Sequence, residues 1–210
     1  MTYAVKECFL TLQGEGVQSG KRAVFLRFAG CNLWSGREQD RAAAQCTFCD
    51  TDFVGTDGGG GGKFADPGAL SDHVLSTWGG GEAERLVVVT GGEPMLQLDG
   101  ALVDALHDRG FLVAAESNGT LPATAGIDWL CVSPKAGTDV VQRSGDELKL
   151  VWPQAGIDPA ALENWDFRNF LIQPKDCESR DEALDAAIRL VMERPRWRLS
   201  LQTHKLLGLP

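Results

Sequence analysis

The chain has 210 residues, 43% of them hydrophobic, with 20 basic and 29 acidic side chains and so a formal charge of −9. That length fits one domain with a core that folds without disulfides, and an acidic balance with scattered Lys and Arg argues against a nucleic-acid partner or an anionic membrane. The opening MTYAVKECFLTLQGEG lacks a charged segment followed by an apolar run, and no apolar stretch nears the ~20 residues of a bilayer span. The expectation is a cytoplasmic protein whose six cysteines stay reduced and serve as metal ligands or small apolar residues.

Short β-rich runs with helical patterns between most of them follow in chain order. Residues 24–28 (VFLRF) form the first run. Residues 56–63 (TDGGGGGK) break the pattern, because five consecutive glycines cannot hold a regular element, and a mobile loop is expected there. A phosphate cradle is the functional alternative, but no strand precedes the run and no Gly-Lys-Ser/Thr ends it. Helix-like spacing covers 67–78, with Pro67 early in the segment. A strand at 86–90 (LVVVT) and a helix at 98–108, stopping before Gly110, come next. Strands are predicted at 111–116, 129–132, 147–151 and 170–173, then a helix at 180–193 and a last strand at 199–202. Several of these runs are almost continuously apolar, as in a parallel sheet buried on both faces. The alternation predicts an α/β sheet curling toward a barrel. A complete eight-unit barrel takes ~250 residues; this chain predicts an open, partial (β/α) barrel with abbreviated helices, one domain over residues 1–210.

Cys46-Thr-Phe-Cys49 is a C-x2-C pair, and Cys31 precedes it by fourteen intervening residues. Three close cysteines can hold three irons of a cubane cluster and leave the fourth iron open to a small chelating molecule. A structural zinc ion needs a fourth ligand, and His73, His107 and His204 all lie far off in sequence. A C-x2-C pair also fits redox thiols, so spacing by itself leaves these readings open. Cys131 sits in an apolar strand as a small hydrophobe, and Cys8 and Cys177 have no cysteine close in sequence.

The flanking residues carry a resemblance. FAGCNLW, then CTFCDT, then a strand entering TGGEP, resembles the radical SAM superfamily, whose usual motif is C-x3-C-x2-C with an aromatic residue before the last cysteine, here Phe48. The fourteen-residue spacing departs from that motif, so the cluster loop carries an insertion. Together with LQGEG, ESNGT, SPK and QPKD, the chain from Leu12 to its C-terminus closely resembles the 7-carboxy-7-deazaguanine synthase family. The resemblance implies a [4Fe-4S] cluster on Cys31, Cys46 and Cys49, S-adenosyl-L-methionine (SAM) and Mg2+. It implies ring contraction of 6-carboxy-5,6,7,8-tetrahydropterin to 7-carboxy-7-deazaguanine with release of ammonia, a lyase step in 7-deazapurine (queuosine) biosynthesis. A flavodoxin-like electron donor and a homodimer belong to the same expectation. The rivals are another radical SAM enzyme, such as a glycyl-radical activator, and a non-enzymatic zinc module.

Glycines at a strand's carboxyl end let backbone approach a ligand, so Thr90-Gly91-Gly92-Glu93-Pro94 is a candidate SAM turn, with Gly92 offering backbone to the methionyl ammonium and Glu93 supporting it. Glu116-Ser117-Asn118, Ser133-Pro134-Lys135 and Gln173-Pro174-Lys175-Asp176 each close a predicted strand and could ring one cavity. By resemblance, all but Glu116 face SAM. The segment Leu12-Gln13-Gly14-Glu15-Gly16 is expected to clamp the substrate ring by its backbone, with Thr90 on the same side. Arg27 suits the substrate carboxylate through its planar pair of donors, or else pairs with a neighbouring acid. Thr51 is the expected Mg2+ ligand; its neighbours Asp50 and Asp52 read as solvated turn residues. Glu116 is the candidate catalytic group, placed against the donor edge of the pterin, while His204 on the last strand and the terminal Pro210 are expected to close the pocket.

Overall fold

The computed structural model describes residues 2–210. Its strands are β1 (Tyr3–Leu12), β2 (Arg22–Phe28), β3 (Gly62–Phe64), β4 (Leu86–Gly91), β5 (Leu112–Ser117), β6 (Trp129–Val132), β7 (Ser144–Trp152), β8 (Asp166–Pro174) and β9 (Trp197–Leu199). They form one open nine-stranded sheet in the order β3-β1-β2-β4-β5-β6-β7-β8-β9. From β2 onward every neighbouring pair is parallel, while β1 runs antiparallel to both β2 and β3. The helices are α1 (Pro67–Trp78), α2 (Gly100–His107), α3 (Pro159–Leu162), α4 (Arg180–Glu193) and α5 (Thr203–Leu207). The open partial barrel is therefore as expected, and its helices are shortened. Between β5 and β6, and between β6 and β7, no helix forms, and the β7–β8 crossover holds only the four-residue α3.

Strand alternation sorts the two faces. Val24, Leu26 and Phe28 of β2, Val87 and Val89 of β4, Leu148 and Leu150 of β7 and Ile172 of β8 are fully buried in one core. Leu70 and Val74 of α1, Leu102 and Leu106 of α2 and Ala187 of α4 cover that face. Alternate residues point into the barrel: Ala23, Leu86, Val88 and Ala114 pack with Phe25 and Trp129 near its base. Further along the same strands the inward positions turn polar, at Arg27, Thr90, Glu116 and Lys149.

Three readings are corrected. The glycine run is held in place: Cys8 N–H donates to Gly59 O at 2.9 Å, Gly58 N–H to Lys6 O at 3.0 Å, and Gly62 begins edge strand β3. Glycine suits this segment because a Cβ at residue 58, 60 or 61 would run into the β1 backbone at Lys6 or Cys8. The last strand is Trp197–Leu199, three residues, and His204 lies on helix α5. Strand β1 has no counterpart among the predicted strands, since YAVKECFLTL sets Lys6 beside Glu7 and Phe9 beside Leu10 and so lacks strict alternation; pairing with β2 and β3 makes it a strand. Helix α1 matches its predicted bounds, with Asp66 accepting from Ala69 N–H at 2.8 Å and Pro67 at the first helical position. None of the described helices is long and apolar enough to cross a membrane.

Candidate active site

A cavity of about 450 Å³ opens at the carboxyl ends of the parallel strands, where α/β sheets place their ligands. Cys31, on the loop after β2, and Cys46 and Cys49 further along that loop all line it as free thiols. The insertion between them holds a 3-10 turn at Glu38–Ala43. From this turn Arg41 stacks its guanidinium 4.1 Å over Trp34 and donates at 3.0 Å to Thr47 O and Cys49 O, fixing the loop that carries the cysteine pair. A hydrogen bond between the pair pushes Cys49 down to about 6 and Cys46 up, while burial raises Cys31. No three His, Cys, Asp or Glu side chains among the described residues gather closely enough to hold one metal ion. Three thiols lining one cavity match the three protein ligands of a cubane that leaves one iron open.

Behind Cys31 lies the TGGEP turn. Glu93 N–H donates to Gly30 O at 3.0 Å, and a Cβ on Gly92 would meet Gly30 O and the Cys31 side chain. Gly92 is therefore where backbone must pass backbone beside a cysteine, and it also lines the cavity. Glu93 does not line it: with 0% exposure it accepts from Ser117 Oγ (2.8 Å), Asn118 N–H (2.8 Å) and Met95 N–H (3.0 Å), so it braces the wall from behind. Ser117 and Asn118 face the cavity, and Asn118 Nδ2 donates to Asn32 Oδ1 at 3.0 Å, tying the end of β5 to the cysteine loop.

Ser133 and Lys135 line the next stretch of wall, with Pro134 between them out of reach of the cavity. Lys135 Nζ donates to Ser133 O and Oγ at 2.7 and 2.8 Å, and burial lowers its affinity for a proton. Two ammonium groups approach the Phe48 ring, Lys175 at 5.8 Å and Lys135 at 6.0 Å from its centre. Gln173, Pro174, Lys175 and Asp176 complete that side.

Across the cavity, Leu12, Gln13, Gly14 and Glu15 line the wall, whereas Gly16 lies behind it and donates to Ser200 Oγ at 3.0 Å. Gly14 O accepts from Thr203 N–H and Oγ1, each at 2.9 Å, and a Cβ on Gly14 would enter the His204 ring. His204 thus seats α5 on the clamp. Arg27 and Glu7 are register partners on β1 and β2, and Arg27 Nε donates to Glu7 Oε1 at 2.6 Å, so the ion pair does form. Among the described residues the terminal guanidinium nitrogens of Arg27 have no protein acceptor and remain available at the cavity. Thr90 and Thr51 also line it. Asp52 is bound to Lys6 and Asp50 to Lys205, each at 2.8 Å, and each of these lysines is shared with a second acid, Asp57 and Asp176. Pro210 reaches the rim, where its carbonyl accepts from Thr11 Oγ1 at 3.2 Å.

Several cavity residues lie outside the motifs read from sequence, among them Lys6, Glu7, Lys149, Gln202 and Lys205. Lys149 is the most consequential. Its ammonium lies 2.5 Å from Glu15 and 3.5 Å from Glu116, and Gln13 Nε2 donates to Glu116 at 3.0 Å. Burial opposes charge on both Lys149 and Glu15, yet their pairing wins: Glu15 falls to about 2 and Lys149 rises well above its usual range. The alternation Glu147-Leu148-Lys149-Leu150 carried the signal, because polar residues at every second position of a buried strand must face something polar.

An open α/β barrel with three free thiols at the carboxyl ends of its strands is the architecture of a radical SAM enzyme. No family model matches the chain. It is 62% identical to the 7-carboxy-7-deazaguanine synthase of Caulobacter vibrioides and 59% identical to that of Bordetella pertussis, each over the full length of both chains. The crystal structure of QueE from Escherichia coli superposes with a TM-score of 0.71 at 27% identity, covering 97% of this chain and 95% of that one. The chain belongs to the 7-carboxy-7-deazaguanine synthase family.

Proposed function

We propose that the protein, working as a single domain, converts 6-carboxy-5,6,7,8-tetrahydropterin to 7-carboxy-7-deazaguanine with loss of ammonia. The observation that carries this reading is one cavity shared by the three cysteines and by Arg27 with its free guanidinium face, in a chain of this family. Cys31, Cys46 and Cys49 would hold the [4Fe-4S] cluster, and Gly92, Ser117, Asn118, Ser133, Lys135 and residues 173–176 would hold SAM against it. When bound, cluster and SAM supply one-electron chemistry that removes a hydrogen atom from the substrate.

The chain's own residues bind and orient. Arg27 meets the substrate carboxylate, held in plane by Glu7. Among the described residues the Gly14 N–H lacks an acceptor, and with Thr90 it faces the ring as a fixed donor. Glu116 accepts from the ring's N–H edge. Thr51 offers one hydroxyl to Mg2+, whose remaining ligands come from substrate and water, because Asp50 and Asp52 are engaged by lysines. Helix α5 and Pro210 lie over the mouth and limit water. Two partners are part of the proposal on the strength of the family alone: a one-electron donor such as flavodoxin, and a second copy of the chain.

The test is a mass-spectrometric product assay on oxygen-free, cluster-reconstituted protein with SAM, reductant and Mg2+. Formation of 7-carboxy-7-deazaguanine, abolished by Cys31→Ala, Cys46→Ala or Cys49→Ala, is the expected result. Zinc without iron or sulfide after anaerobic preparation would overturn the reading.

A further inference from the structure

We propose that Lys149 is a positioning residue that holds the Glu15 and Glu116 carboxylates together at the cavity floor, and thereby makes the site select a heterocycle presenting a row of N–H donors. The ligand's identity rests on the function proposed above; the charge arrangement does not.

Strand β7 directs Leu148 and Leu150 into the core and Glu147 and Lys149 into the barrel. The Lys149 side chain is 5% exposed and touches two carboxylates, from the clamp and from β5. These carboxylates are not equivalent. Both Glu15 oxygens are used, Oε2 by Lys149 at 2.5 Å and Oε1 by Gln202 Nε2 at 2.9 Å. Glu116 Oε1 accepts from Gln13, but its Oε2 has only the 3.5 Å approach of Lys149. Glu116 therefore keeps acceptor capacity on the cavity side, and one ammonium between two carboxylates leaves an excess negative charge there.

The other groups facing Lys149 do not cancel that charge. Burial pushes the carboxyl of Glu147, on the same strand, up toward its neutral form, and its oxygens are occupied by Val17 N–H (2.9 Å) and the Cys131 thiol (3.5 Å). Burial likewise pushes the Cys131 thiol of β6 up. The Lys135 ammonium, near enough to oppose that of Lys149, is held by Ser133. Without Lys149, two carboxylates in a confined site would share a proton. Glu116 would then offer O–H part of the time and oppose a donor edge. The favoured ligand is thus a ring with a lactam N–H beside an exocyclic amine; an analogue lacking the amine should be rejected because it leaves a buried acceptor unmatched.

The experiment compares wild type, Lys149→Met, Lys149→Arg and the double variant Lys149→Met/Glu15→Gln, all cluster-loaded with SAM and Mg2+. Calorimetry measures binding of 7-carboxy-7-deazaguanine across about pH 6 to about pH 9, alongside KM and kcat for the tetrahydropterin. Lys149→Met should bind roughly 10- to 100-fold more weakly at neutral pH and recover as pH rises. Its KM should rise more than its kcat falls. The double variant should regain most of the affinity, because a lone Glu116 ionises again, and Lys149→Arg should lie between. A pH-independent affinity in Lys149→Met, or a double variant no better than the single, would overturn the proposal.

A ligand-free readout separates this inference from the function. The infrared spectrum of Lys149→Met at neutral pH should gain one protonated-carboxyl band that the double variant lacks. Wild type that fails to bind the deazaguanine sinks the proposed function, whereas the absence of that band sinks the role of Lys149. If Lys149→Met does not fold, Lys149→Gln, alone and with Glu15→Gln, takes its place in both comparisons.

Discussion

Arg27 owes its aim to strand register. Glu7 stands opposite it and takes Nε at 2.6 Å, so the guanidinium plane is set before any ligand arrives. A lysine there keeps the charge but loses the planar pair of donors. Arg27→Lys should therefore raise KM for the carboxylated pterin by about tenfold, with KM for SAM unchanged, in steady-state assays. Glu15 makes a statement about acid stability. Burial would raise its carboxyl, but Lys149 and its other donors bring it from an ordinary 4.5 down to about 2. A depressed acid contributes stability above its unfolded value and loses it as pH falls toward the folded one. Wild type should exceed Glu15→Gln in thermal midpoint above about pH 5, and the gap should close between about pH 4.5 and about pH 2. A gap that stays constant with pH would refute this.

At the level of elements, the glycine run and the cap of α1 show two ways of fixing a short segment. Gly60 combines a φ of +68° with a Cβ direction blocked by Cys8 O. Gly60→Ala should cost about 2 kcal/mol or more in urea unfolding, because both strain and clash oppose it. Asp66→Ala removes one cap bond to Ala69 N–H and should cost about 1 kcal/mol. If the two losses were equal, or reversed, the glycine run would be less firmly seated than its hydrogen bonds indicate. Helix α1 was legible because Pro67 and the apolar spacing of Leu70, Val74 and Trp78 act locally. The glycine segment was not, since its partner is β1, some fifty residues earlier.

For the molecule as a whole, the cavity is closed by residues from opposite ends of the chain. Lys205 on α5 bonds Asp50 of the cysteine loop at 2.8 Å and Asp176 after β8 at 2.6 Å. Both contacts are exposed, so each is worth little alone, but together they join three segments around the mouth. Lys205→Met should raise KM for substrate several-fold while leaving the thermal midpoint within about 1 °C. High salt should raise the wild-type KM and barely affect the variant. Equal salt dependence in both proteins would show that the clasp does not govern closure.

The sequence by itself determined strands β2 and β4 to β8, helices α1, α2 and α4, the shortening of the barrel, and the motif residues, because each is written in local periodicity or in adjacent residues with one chemistry. Cys46 and Cys49, TGGEP and QPKD could be found without knowing what they touch. The tertiary structure alone decided that Glu93 supports the wall from behind, that His204 lies on a helix against Gly14, and that Lys149 sits between two carboxylates. Those facts depend on which side of a strand faces the barrel and on neighbours more than a hundred residues away in two of the three cases. Charge pairing and close packing act through space, and no spacing along the chain encodes them.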